Sequence, residues 1–284
     1  MRATQNMNKA RPILSRTKKF VFDVRWVFIG SIIAFIIKFL QKPMIAYFVG
    51  PDGVGLWQMA LVFSTVFALF GGWLAAGVPK FVAEYQMRER KLRALVWSGM
   101  FTSLFFGITT MLILFFCSDI FADFFNMPML APVLKIVSCF FPLSFIITIL
   151  LRTLQGLRKM RAYSLFGVFQ SIFAFCIVLL FLTFGFDVLG IAMGTLFMYM
   201  TSFCIIVILT LNVIKIDFCG YQKHTQNLMF YGIMAFIASL IGMTMIFNID
   251  VLMIGYFLDE TEVGYYSVAM SILIIMWMIP TSIN

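Results

Sequence analysis

Lys38, Gln41 and Lys42 fall at i, i+3 and i+4, so a helix running through them presents all three on one face. Carried back toward the N-terminus, the same face passes through Ala34, Ser31 and Gly30, which are small or polar in an otherwise apolar stretch. Two amines and an amide at this spacing suit an anion such as a phosphate. A competing reading has both lysines extending their aliphatic stems outward to a polar boundary. Lys42 fits that reading comfortably. Lys38, about 21 Å along a helix entered at Val24 at 1.5 Å per residue, fits it less well. Asp250 stands in a second apolar stretch, with Ser239 eleven residues earlier on nearly the same face. Its carboxylate is suited to binding a cation, accepting a proton, or pairing with Lys38 or Lys42. The single histidine, His224, adjoins Lys223 and reads as an exposed loop residue. With no HExxH, no GxSxG and no cluster of carboxylates, the expectation is no enzyme, no metal and no cofactor.

The elements that position these groups follow from composition. Hydrophobic residues make up 62% of the 284 residues and charged residues 12%, against about half and about a quarter in a soluble domain. The expected fold class is an all-α polytopic membrane protein. Taking about 20 apolar residues per crossing, eight spans are predicted, at 24–49, 56–78, 94–116, 130–151, 164–184, 190–214, 230–257 and 264–284. Pro142 is expected to bend the fourth span and Pro43 the end of the first. Gly190 and Gly194 make a GxxxG that predicts close helix packing. The five cysteines form no CxxC pair, and no disulfide is expected.

Charge then orients the spans. Of the 21 basic residues, all but Lys38, Lys42 and Lys135 precede or open the first span or lie in the loops after the second, fourth and sixth. The alternate turns hold Asp52, Asp119, Asp123, Asp187, Asp259, Glu260 and Glu262 without Lys or Arg. Positive charge marks the cytoplasmic side, so the N-terminus is expected there. The net charge of +9 is then chiefly a topology signal with some contact to anionic lipid, and nucleic acid is not an expected partner. Lys135, near the outer end of the fourth span, reads as structural.

The chain repeats itself. Met44–Ala60, MIAYFVGPDGVGLWQMA, aligns without a gap on Met253–Ala269, MIGYFLDETEVGYYSVA, at an offset of 209, with the Tyr-Phe and Val-Gly pairs in register. That self-similarity is expected of duplicated helix bundles. It assigns 1–23 to a basic cytoplasmic segment, 24–229 to a six-helix lobe and 230–284 to the first two helices of a second lobe. The offset puts Asp250 opposite Gln41 in register. A pseudo-two-fold axis would turn the polar faces of helices one and seven toward each other.

VGPDGVGLWQMA, RTLQGLRKMRAY, GFDVLGIAMG and IDVLMIGYFLDETEVGYYSVA together resemble the polysaccharide-unit flippases of the Wzx type, in the multidrug/oligosaccharidyl-lipid/polysaccharide exporter superfamily. The resemblance runs from about Val24 to the last residue. It implies two six-helix lobes about a cavity that opens alternately to either side of a bacterial cytoplasmic membrane. The implied cargo is an undecaprenyl-pyrophosphate-linked oligosaccharide moved for surface polysaccharide assembly. Implied partners are membrane lipids, H+ or Na+ as a coupling ion, and other glycan-assembly proteins. Against that pattern the second lobe stops at Asn284. A fragment lacking about four helices is expected, with a short protein that dimerises as the alternative.

A drug or organic-cation antiporter of the same superfamily is the nearest rival. It would want acids in the first lobe, where the intramembrane charges are lysines. A peptidoglycan-precursor flippase follows the same logic as the leading reading. A membrane-integral glycan polymerase or ligase would want a large outer loop bearing Arg or His, and the outer turns are short and acidic.

Overall fold

The computed structural model describes residues 2–211, 230–232, 234 and 246–283. Among these the secondary structure is helical throughout, with no strand. His224, Cys219, Lys215, Lys223 and Ser239 lie outside the described residues, as does residue 229, where the first lobe was expected to end.

Helix α1, Arg2–Tyr85, is a single run broken only at Gly50, whose φ of 69° and ψ of −179° are non-helical. It is therefore two helices, α1a (2–49) and α1b (51–85). Gly50 supplies a backbone conformation that a side chain would resist. Pro51 follows at the first position of α1b, where its missing N–H costs nothing. Asp52 then sits in the first turn, favoured by the helix dipole. The expected outer turn is thus one residue long. The apolar span begins at Arg25, one residue from the expected Val24, while the helix itself continues back to Arg2 through a glycine-free segment.

Helix α2, Glu89–Phe124, has 36 residues, about 54 Å at 1.5 Å per residue. It outruns both the predicted 94–116 and a hydrocarbon core of about 30 Å. The fourth span is broken into α3, Leu130–Ser138, and α4, Phe141–Gly156, bent by 44°. Pro142 explains where: it has no N–H to give the Ser138 carbonyl, and its ring crowds that turn. Gly107 of α2 passes so close that an added Cβ would lie 2.6 Å from Pro142 Cα. α5, Met160–Thr183, turns through Gly185 at φ 80° into α6, Asp187–Leu211. The GxxxG brings these two together, for a Cβ on Gly194 would lie 3.1 Å from Val178 Cα. Helices α7, Ile246–Phe257, and α8, Glu260–Ile283, close the described chain.

Among the described residues four stretches are long and apolar enough to cross a membrane: Arg25–Leu69, which contains the Gly50 break, Glu89–Phe124, Met160–Thr183 and Asp187–Leu211. The bent α3–α4 pair makes a fifth. The shell is apolar, with Phe105, Phe116, Ile120 and Ile208 all exposed, which suits a hydrocarbon solvent. One buried cluster joins Met59, Leu114, Leu134, Phe141, Val251 and Val263, so the second repeat packs into the core of the first. A second cluster lies toward the basic end around Leu74, Leu95, Leu150 and Ile206. The described cysteines, Cys117, Cys139, Cys176 and Cys204, are free.

Candidate functional site

Ile29, Ile33, Ile36, Leu40 and Tyr47 are all exposed on one stripe of α1a, a face whose composition suits lipid. Lys38 is nine residues from both Ile29 and Tyr47, about two and a half turns, and so projects from the opposite side of the helix. It is nonetheless exposed. Positions seven apart fall on nearly the same face of the helix. Ile45 is 4% exposed and packs among Val178, Leu182 and Ile191. One turn inward Gln41 and Lys42 are half-buried, and Lys38 and Ser31 are exposed. The face is sealed at the acidic end and opens toward the basic end. Gly30, beside that face, is buried against α5, where Ser164 Oγ donates to the Trp26 carbonyl at 2.8 Å.

That closure is made by α5 and α6, and at the same end the two repeats also touch each other. Thr261 Oγ1 donates to Asp52 Oδ1 at 2.7 Å across a separation of 209 residues, the repeat offset itself. A Cβ on Gly55 would collide with the Glu260 carbonyl, and one on Gly264 with the Pro51 carbonyl. Glu260 is the repeat partner of Pro51, and Gly264 that of Gly55. Each glycine therefore meets the counterpart of what the other meets, the reciprocity of a two-fold contact. One turn deeper, Lys42 Nζ donates to the Ser267 carbonyl at 3.1 Å. Thr261, Gly264 and Ser267 form one stripe of α8 laid against α1.

Asp250 accepts a hydrogen bond from Tyr266 Oη at 3.0 Å. Of the roles open to Asp250, pairing with Lys38 or Lys42 is not the contact seen here: among the described residues the ion pairs are Arg93–Glu89 and Lys135–Asp119. A tyrosine sixteen residues away on the next helix reaches the carboxylate first. Lys135 Nζ lies 2.8 Å from Asp119 Oδ1 at the acidic end. Among the described residues no group of three or more His, Cys, Asp or Glu is placed to hold a metal.

Sequence reasoning missed Tyr266, Thr261, Ser267 and Ser271. The available signal for Thr261 was its alignment with Asp52, and for the serines their i, i+4 spacing on an apolar helix. At the basic end Lys80 Nζ lies 4.2 Å from the centroid of the Tyr231 ring, a cation–π contact between α1b and the start of the seventh span.

The fold is similar to that of solved transporters. One is a MOP-superfamily transporter from Pyrococcus furiosus, described as having a binding pocket of reversed polarity that suggests a different function. The two are 16% identical, over 77% of this chain and 52% of that one, with a TM-score of 0.63. A multidrug-resistance MATE-family transporter of the MOP superfamily, in an outward-facing conformation, gives 16% identity, the same 77% and 52%, and a TM-score of 0.65. A MATE protein in complex with MaD5 gives 16% identity, 77% and 54% coverage, and a TM-score of 0.64. The chain thus spans about half the length of these structures. Among curated proteins none matches it. The family model described as polysaccharide biosynthesis protein matches residues 20–284. The chain, a multi-pass membrane protein with the fold of MOP-superfamily transporters, therefore belongs to the polysaccharide biosynthesis protein family.

Proposed function

We propose that the chain acts in moving a lipid-linked anionic oligosaccharide across a bacterial-type cytoplasmic membrane by alternating access, with the N-terminus and basic loops in the cytoplasm. The observation that carries this reading is Lys38, exposed on the side of α1a opposite its stripe of exposed apolar residues and seven residues from the buried Ile45. A charged amine at that depth is costly unless it meets water or a counter-ion. A diphosphate linking sugar to lipid is such a counter-ion, while the lipid tail stays in the hydrocarbon. With the basic end cytoplasmic, the sealed acidic end corresponds to a cavity open to the inside. The binding pocket of the Pyrococcus furiosus transporter is described as reversed in polarity, and here the first lobe presents lysines.

Lys38→Ala is expected to abolish glycan export while the protein still inserts in the membrane. Normal export from a well-inserted variant, with surface glycan measured by lectin binding, would sink the anion site.

Asp250 is the candidate for ion coupling, by H+ or Na+. Tyr266→Phe removes its one hydrogen-bond donor without changing shape, and Asp250→Asn removes its charge. Both are expected to shift the dependence of export on the ion gradient, Asp250→Asn more strongly. Transport by Asp250→Asn that follows the wild-type curve at every imposed gradient would leave the pair structural.

A further inference from the structure

The lysines of α1a have a counterpart on α8. The two helices run antiparallel, and Lys42 meets the backbone of Ser267. One turn toward the basic end on each helix leads to Lys38 and to Ser271. Ser271 Oγ donates to the Ser267 carbonyl at 2.7 Å, so the hydroxyl and the Lys42 ammonium converge on one oxygen. That oxygen is neutral and belongs to a helical peptide, whereas an ammonium carries three donors and a full charge. No carboxylate lies within ion-pair distance of Lys42 or Lys38 among the described residues, since Asp250 is held by Tyr266 and the remaining pairs are remote. Lys42 is half-buried between the repeats with a carbonyl as its one partner, and a desolvated cation in that state gains most from an anion.

We propose that α8 completes the anion site: Lys38 and Lys42 from the first repeat and the Ser271 hydroxyl from the second bind one diphosphate between them. The Ser267 carbonyl is where Lys42 and Ser271 rest while the site is empty. A diphosphate offers several oxygens to donors on two elements, and the hydroxyl reaches it by rotating off the carbonyl. Occupancy then exchanges the Lys42–Ser267 bond between the repeats for bonds to the ligand. The inference rests on the lysine reading above and adds Ser271 to it.

The test uses the purified chain in two arms: inorganic pyrophosphate added to protein in detergent, and a polyprenyl diphosphate lipid incorporated in nanodiscs with the protein. The shift in melting temperature against ligand concentration gives an apparent Kd. Lys42→Gln and Ser271→Ala are each expected to weaken binding about tenfold, the scale of a hydrogen bond to a charged group. Ser271→Thr keeps the hydroxyl and should restore it. Binding in the lipid arm alone assigns the site to a headgroup, and binding in both assigns it to the diphosphate itself. If Lys42→Gln weakens binding and Ser271→Ala does not, the role of α8 is overturned and the lysine site stands. If wild type binds in neither arm, both fall.

Discussion

Cysteines placed at Asp52 and Thr261, in a background with the five native cysteines changed to alanine, are expected to cross-link on mild oxidation and to stop export until reduced. The native side chains meet at 2.7 Å, and the neighbouring backbones of α1b and α8 are in contact through Gly55 and Gly264. A covalent bond there fixes the repeats together at the acidic end. Under alternating access that end must part once in every cycle, so one bond at the rim suffices to arrest it. Each single-cysteine protein should export normally under the same oxidant. Export at the wild-type rate from fully cross-linked protein would mean that the acidic end never opens. Absence of any cross-link in intact membranes would remove the contact itself.

Gly264→Val should have the opposite effect at the same place. A side chain on Gly264 runs into the Pro51 carbonyl, and one on Gly55 into the Glu260 carbonyl. Both obstacles are backbone and cannot swing aside, so the helices must separate. Overpacking of this kind costs about 1–3 kcal/mol, enough to shift a closed–open equilibrium by about tenfold or more. The shift is measurable with a Lys38→Cys reporter and a membrane-impermeant thiol reagent applied from the outer side. Labelling should rise about tenfold when Gly264→Val is added. Gly167→Ala is the control, because a Cβ there meets nothing within 4 Å and alanine favours the helix. Equal labelling with and without Gly264→Val would show that the glycine contact does not hold the acidic end shut.

The sequence by itself determined the parts of this protein that answer to the bilayer. Apolar length, the loop charges and the break at Pro142 are legible because hydrocarbon thickness and backbone hydrogen bonding impose them on any chain. The apolar stripe of α1a is legible for the same reason: Ile29, Ile33, Ile36 and Leu40 repeat at helical spacing, and Lys38 falls opposite them. The offset of 209 also carried the two-fold relation, and Thr261 meeting Asp52 is that offset made into a hydrogen bond. Helix ends were less legible, since α1a and α2 continue beyond the hydrophobic window that signalled them.

Only the tertiary structure decided which groups in the bundle are partners. Register alone left several partners open to Asp250, and the one the structure gives is a phenol from the adjoining helix. Lys42 found a peptide carbonyl 225 residues away, and a carbonyl acceptor is common to every residue, so composition and spacing carry no mark of it. The contact of Gly55 with Gly264 likewise depends on how closely two helices approach, which is set by the packing of Met59, Val251 and Val263 around them. The face that holds Lys38 was written in the sequence; that it opens toward one end and closes at the other is a property of the assembled helices.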